Sequence, residues 1–264
     1  MKKIIYTSIL SIFIFCSCEK VIDVDLNSTA KKYVIEGIIT DNPEGSSVKI
    51  TQTKDFNENN NFTGVSGAIV TVTDNGTSYQ LKESENGIYK NPALNGASGH
   101  TYSMQVKIAD ETFTATSTMP ANVNFDTLFV KEEEFMGTSR KIPNVSYVDP
   151  AGKGNSYRFV LYRNHKMEKP IYVVNDDYAE DRTANWQLLN YEEEEEKDKV
   201  KTGDIITVDM FCIDKPMFKY WFSTGSASGE GGDSTPANPV TNISGGALGY
   251  FSAHTSQRKE VVVE

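Results

Sequence analysis

The stretch "AIVTVTDNGTSYQL", residues 68–81, decides the fold class. Two runs in which β-branched and polar residues alternate lie on either side of Asn75-Gly76. This dipeptide favours the positive φ angles of a tight hairpin turn, so the stretch predicts two antiparallel strands. A second hairpin is predicted around residues 109–111, because apolar and polar residues alternate strictly over residues 102–108 just before them.

Residues 31–120 continue this pattern as short β-rich runs separated by clusters of Gly, Pro, Asn and Asp. Roughly six or seven short strands, with a turn every 8 to 12 residues, are typical of an immunoglobulin-like or transthyretin-like β-sandwich. The spacing of Gly and Tyr over residues 87–102 resembles that of carboxypeptidase-regulatory-like modules, and this resemblance implies a structural or binding unit. We therefore predict a β-sandwich domain over residues 31–120.

Residues 119–121, Met-Pro-Ala, interrupt the strand pattern, and a second β-rich domain is predicted over residues 121–264. In "SYRFVLYRNH", residues 156–165, strict alternation predicts a strand with one buried and one exposed face. The two faces carry Tyr157, Phe159 and Leu161 on one side and Arg158, Val160 and Tyr162 on the other. Two closing strands are predicted from "ALGYFSAHT" (247–255) and "KEVVV" (259–263).

One short helix is predicted from "IDKPMFKYWFSTGS", residues 213–226. Asp214 is a good N-cap, Pro216 fits the first turn, and Gly225 can end the helix. The spacing i, i+3, i+4 gives an apolar stripe formed by Met217, Tyr220 and Trp221. The predicted fold class is therefore mainly all-β, with a sandwich followed by a second β-rich domain that contains this helix.

The N-terminal stretch "SIFIFCSCEKVIDVDL", residues 11–26, is typical of a processing signal. An apolar run over residues 4–15 follows two lysines and is too short to span a membrane as a helix. Small Ser17 precedes Cys18, as at the cleavage site of a bacterial lipoprotein signal. We predict a signal peptide over 1–17, lipid on Cys18 and a tether over 18–30; an ordinary secretory signal or a C-x-C metal site is the alternative.

The composition excludes several kinds of partner and site. The net charge of −10 argues against binding of nucleic acid, whose phosphates require a basic surface. His100, His165 and His254 have no ligand spacing to one another, so neither a catalytic nor a metal site is predicted, and no cofactor. Cys212 lies among apolar residues and is predicted to be a small buried side chain.

Other motifs also receive structural interpretations. The glycines of "SGGALGYF", residues 244–251, are predicted to permit a bulge or close backbone packing, since a phosphate loop needs a following helix. The acidic residues within 176–181 and 192–198 lack the spacing of a calcium loop, and the run over 192–198 is predicted to be a solvated hairpin loop.

Three further residues are candidates for binding or modification. Trp186 is the candidate for an exposed ligand-binding ring that could contact a glycan or peptide. Thr127 and Ser234 each follow an aspartate, as in the Asp-Ser/Thr-x motif for O-glycosylation in Bacteroidota.

Four segments together resemble a known family: "CEKVIDVDL", "STMP", "TGDIITVDMFCIDKPMFKYW" and "NPVTNISGGALGYFSAHT". They are similar to the Bacteroidota outer-membrane lipoproteins catalogued as domain of unknown function 4249, over nearly all of the chain after Cys18. The resemblance implies an accessory role at the cell surface beside a TonB-dependent outer-membrane transporter. Since the sequence contains no catalytic motif, the protein is expected to be non-enzymatic. A surface adhesin or structural module that binds glycan or host matrix is the alternative, and a glycan or peptide hydrolase is the third.

Overall fold

The computed structural model describes residues 30–43, 45–55, 58–59, 61–135, 137–176, 182–189, 199–227 and 238–264. Their secondary structure is fifteen strands and one short helix. In chain order the elements are β1 (Tyr33–Thr40), β2 (Ser47–Gln52), β3 (Ile69–Asp74), β4 (Thr77–Glu85), β5 (Ile88–Lys90), β6 (Thr101–Ile108), β7 (Glu111–Thr118), β8 (Phe125–Phe135), β9 (Thr138–Val148), β10 (Ser156–Arg163), β11 (Lys166–Met167), β12 (Tyr172–Asn175), β13 (Thr183–Gln187), β14 (Ile205–Cys212), α1 (Lys215–Ala227) and β15 (Leu248–Val262). The predicted all-β class with one short helix is confirmed.

Both predicted hairpins are present. Asn75 and Gly76 have φ angles of 44° and 90° and join β3 to β4, whose pairing starts at Asp74 and Thr77. Ala109, with a φ of 48°, lies in the turn between β6 and β7. The turn dipeptide therefore sets the register of the first hairpin, as its sequence indicates.

A single long strand, β15, joins the two halves of the chain. It lies between β14, to which it is antiparallel, and β1, to which it is parallel. The two closing strands predicted from residues 247–255 and 259–263 are thus one continuous strand. The residues between them, 256–258, include no Gly, Pro, Asn or Asp, and they pair directly with β14.

The first core lies inside the curved part of a twelve-stranded sheet, over the order β15-β1-β2-β5-β4-β3-β6-β7. β7 returns next to β15, because Thr114 and Ser244 exchange backbone hydrogen bonds and Ala253 N–H donates to Ser117 Oγ over 2.8 Å. C-terminal residues complete this core, namely Ile243, Ala247, Phe251 and Ala253. Residues from the end of the chain therefore close the sandwich that begins at β1.

The second core lies between β10-β14-β15 and a separate three-stranded sheet, β13-β9-β8. Tyr147 on β9 packs against Tyr157 and Phe159 on β10, with ring centroids 4.5 and 6.1 Å apart. The predicted boundary after residue 120 stays a prediction. None of the described helical residues forms a segment long and apolar enough to cross a membrane.

Asp214 connects the helix to the first sandwich. Its Oδ1 accepts a hydrogen bond from Met217 N–H over 3.1 Å, which confirms the predicted N-cap. Its Oδ2 accepts hydrogen bonds from Ser117 Oγ over 2.7 Å and from Thr118 N–H over 3.1 Å. One carboxylate thus caps α1 and fixes its start against β7.

Replacing Asp214 with alanine is expected to lower the free energy of unfolding by about 2 kcal/mol, because the cap and two hydrogen bonds to β7 are lost. Urea unfolding of the purified protein, followed by circular dichroism, measures this change. Asp214→Asn keeps a hydrogen-bond acceptor on a side chain of the same shape, so its free energy of unfolding should fall clearly less. Equal stability of Asp214→Ala and the wild type would contradict the connecting role.

Candidate functional site

The sheet face opposite the second core is partly covered by α1, and we call it the helix-side face. Tyr157, Phe159 and Leu161 point into the second core, so the alternate residues of β10 point to the other side. Pairing of β10 with β14 and of β14 with β15 places polar and aromatic residues side by side there. The residues that matter below are Arg158, Asp209, Phe211, Tyr250, His254 and Arg258.

An aromatic cluster fixes α1 to this face. Tyr220 and Trp221 of the helix and Tyr250 of β15 pack mutually, with ring centroids 5.0 to 5.1 Å apart. Burial, and secondarily the charge of Glu36, raises the pKa of Tyr250 to about 12. Burial also raises the pKa of Tyr220, so both hydroxyls stay neutral at physiological pH.

Arg158 stacks on this cluster. Its Cζ lies 3.5 Å from the centre of the Trp221 ring and 5.9 Å from that of Phe211. The side chain is half-buried, and burial lowers the pKa of the guanidinium, although an arginine remains charged at any physiological pH. Among the described residues, the guanidinium has neither a hydrogen bond nor an ion pair. Stacking on Trp221 thus holds a cation that has no hydrogen-bonded acidic partner among the described residues.

The neighbouring carboxylate on this face belongs to a different arginine. Arg258 donates to Asp209 through both Nε and a terminal nitrogen, over 2.5 and 2.6 Å. Such a two-point pair is specific in geometry, and the hydrogen bonds to Asp209 raise the pKa of Arg258. Asp209 is therefore hydrogen-bonded to Arg258, and it acts on Arg158 only through its charge.

His254 lies buried beside Phe211. Their ring centroids are 4.8 Å apart, and His254 Nδ1 is hydrogen-bonded to Ser252 Oγ over 2.8 Å. Burial, and then the charge of Arg158, lowers the pKa of His254 to about 4. The imidazole is consequently neutral at physiological pH and does not add a second positive charge beside Arg158.

The family model described as "Domain of unknown function (DUF4249)" matches residues 19–260. The chain belongs to the DUF4249 family. No curated protein matches the sequence. The match starts next to Cys18 and includes β1, α1 and nearly all of β15, so the helix-side face lies entirely within the family domain.

The structure places the three histidines of this DUF4249 protein in different environments. His100 Nδ1 lies 2.8 Å from Asp74 Oδ1 in the first sandwich, and His165 lies in the turn between β10 and β11 with a φ of 65°. His254 is buried on the helix-side face. No group of three or more His, Cys, Asp or Glu side chains within the described ranges could hold a metal ion.

Trp186 is less open than its sequence context predicts. The ring is half-buried against the second core, and its N–H donates to Tyr147 Oη over 3.0 Å. A ligand-binding role for Trp186 stays a prediction. The tryptophan that meets a charged group is Trp221, which the sequence indicates only as part of an apolar helix stripe.

Some of the other residues singled out in the sequence lie within the part of the chain that the structure describes, and the others lie outside it. Thr127 is exposed on β8 and remains a candidate for O-glycosylation. Cys212 is buried in the second core, and burial raises its pKa, so the predicted small buried side chain is confirmed. Cys18 and Ser234, most of residues 176–181 and all of residues 192–198 lie outside the described residues.

Asp176 has a structural role. Its Oδ2 accepts hydrogen bonds from the backbone N–H groups of Gly154 and Asn155, over 2.6 and 2.9 Å. The side chain is buried, so this carboxylate fixes the loop before β10. These contacts give Asp176 a structural part in the loop, which the sequence does not indicate.

Proposed function

We propose that this DUF4249 protein is a non-enzymatic, lipid-anchored protein on the outer surface of a Bacteroidota outer membrane, where it binds a ligand for a TonB-dependent transporter. The single observation that carries the binding role is the guanidinium of Arg158, which stacks on Trp221 and has neither a hydrogen bond nor an ion pair among the described residues. A charged donor held among aromatic rings, beside a neutral and hydrogen-bonded His254, favours recognition over reaction. The family and the signal-like N-terminus support the location.

The anchor can be tested with the two neighbouring cysteines. Cys18→Ala is expected to release the protein from the membrane or to leave an uncleaved precursor, because Cys18 is the proposed lipid acceptor. Cys16→Ala is the matched control and should change neither, since it lies in the removed peptide. Membrane fractionation and intact-mass measurement report both outcomes. Unchanged membrane attachment of Cys18→Ala would contradict lipidation at this residue.

A glycan-binding adhesin is the second candidate, and one surface favours it. A groove over β3, β6 and β7 is lined mostly by hydroxyl and amide side chains, which can hydrogen-bond sugar hydroxyls. The lining includes Thr71, Thr73, Ser103, Gln105, Thr114 and Asn242. This groove lies on the first sandwich, away from Arg158.

A deletion strain separates the two functions. Loss of nutrient uptake with normal surface attachment is expected if the protein serves a transporter. Loss of attachment with normal uptake would reject the transporter role and support the adhesin. Complementation with the wild-type gene is the control, because it must restore whichever property is lost.

A further inference from the structure

We propose that Arg158 and Trp221 form a binding site for the carboxylate of an organic monoanion that carries an aromatic or apolar group. Carboxylate binding at Arg158 specifies the ligand class of the proposed function and rests on that function. The site is built from one strand, β10, and one helix, α1, both with fixed positions on the same sheet.

Stacking prepares the guanidinium for recognition. The guanidinium carbon lies over the Trp221 ring, 3.5 Å from its centre, so the indole contacts and positions the group that carries the N–H donors. The residue as a whole is half-buried, so part of it is open to solvent. A planar fork held in this way matches the two oxygens of a carboxylate, and holding it in advance reduces the entropy lost on binding.

No internal carboxylate competes for the site within the described residues. Asp209 is held by Arg258, and Glu36 lies 3.4 Å from Lys49 Nζ. An incoming anion therefore displaces no ion pair. The partial burial that lowers the pKa of Arg158 also means that the free protein keeps a cation with incomplete hydration, which an anion would compensate.

The charge balance favours a monoanion over a phosphate. Arg158 is a single cation on a chain with a net charge of −10, and Arg258, the other arginine of this face, is neutralised by Asp209. Dianionic phosphates are usually bound by several cations or by a helix N-terminus. The Asp214 carboxylate occupies the N-terminus of α1 instead. A carboxylate therefore fits this face better than a phosphate.

The neighbouring aromatic rings indicate which group the ligand carries beside its carboxylate. Phe211 lies 5.9 Å from the guanidinium across the β10–β14 pair, and Tyr220 packs on Trp221 from the helix. Rings around a charged donor favour a ligand that places an apolar or aromatic group beside its carboxylate.

The test uses benzoate as the probe and benzamide, its neutral analogue, as the matched ligand. Binding to the purified protein is followed by the tryptophan fluorescence and by the NMR signal of the Arg158 Nε–H group. Benzoate is expected to shift the Arg158 signal, and benzamide to bind at least about tenfold more weakly, since charge-assisted hydrogen bonds are lost.

Two variants and a control locate the site. Arg158→Met and Arg158→Lys are each expected to weaken benzoate binding by about tenfold to a hundredfold, because neither offers the two-point fork. Arg163→Met removes an arginine of the same strand that is paired with Glu168, and it should leave the affinity unchanged. Circular dichroism and thermal unfolding check that each variant is folded.

Several results would overturn the proposal. One is equal affinity for benzoate and benzamide, and another is unchanged benzoate affinity in both Arg158 variants. The third is phenyl phosphate binding more than about tenfold tighter than benzoate, which would show that the site prefers a phosphate to a carboxylate. Benzoate binding without any transporter partner would leave the carboxylate site standing and reject only the accessory role. Recovery of a transporter partner without benzoate binding would support the accessory role and reject the carboxylate site.

Discussion

Replacing Gly249 with alanine is expected to lower the free energy of unfolding by about 3 to 5 kcal/mol. Gly249 has a φ of 95°, and it pairs with Ile35 where β15 runs parallel to β1. A Cβ atom at Gly249 would lie 2.1 Å from the carbonyl oxygen of Ile35, which is backbone and cannot turn aside. The substitution therefore forces apart the strand pair that joins the two halves of the chain.

Gly246→Ala is the matched control for this prediction. Gly246 also has a positive φ, 89°, but no atom lies within 4 Å of the position of its Cβ. Gly246→Ala is expected to lower the free energy of unfolding by about 1 to 2 kcal/mol, because of backbone strain alone. Urea unfolding followed by circular dichroism compares the two variants. Equal losses would show that the contact with Ile35 does not matter and would contradict the close pairing of β1 and β15.

Acidification is expected to remove about 3 kcal/mol of stability through His254. In the unfolded chain this imidazole has its ordinary pKa of 6.5, whereas burial first, and Arg158 second, lowers it to about 4 in the folded protein. Between these values the unfolded state binds the proton and the folded state does not. The contribution of His254 is thus fully present above pH 6.5 and is lost as the pH falls to about 4.

His254→Gln isolates this contribution, because glutamine does not titrate and can still hydrogen-bond Ser252. Urea unfolding of the wild type and the variant at pH 7 and pH 4 gives the change in each. Carboxylates and the other two histidines titrate equally in both proteins, so the wild type should lose about 3 kcal/mol more. The same loss in both proteins would show that His254 is not held neutral by its surroundings.

The local structure of this chain follows closely from its sequence. The Asn75-Gly76 turn, the alternating faces of β10 and the Asp214 cap each depend on residues that are close together in the chain. Turn formation, period-two alternation and helix capping depend on residues a few positions apart, so they can be predicted from one sequence. The glycines of residues 244–251 likewise permit the close backbone packing that their sequence predicts, since Gly249 approaches the backbone of β1.

Long-range pairing could not be predicted in the same way. The parallel contact of β1 with β15 joins opposite ends of the chain, and alternation indicates which face of a strand is buried without naming its neighbour. The candidate site shows the same limit. Alternation places Arg158 on the outer face and the helix stripe contains Trp221, but their 3.5 Å contact depends on how α1 lies across β10.

The accessory role is tested most directly by isolating the protein with its partner. Tagged protein, expressed at its native level and solubilised in mild detergent, is purified, and the proteins recovered with it are identified by mass spectrometry. An unrelated tagged outer-membrane lipoprotein is the control. We expect a TonB-dependent transporter barrel to be enriched with the tagged protein and not with the control. Repeated recovery of the protein without any such barrel would contradict it.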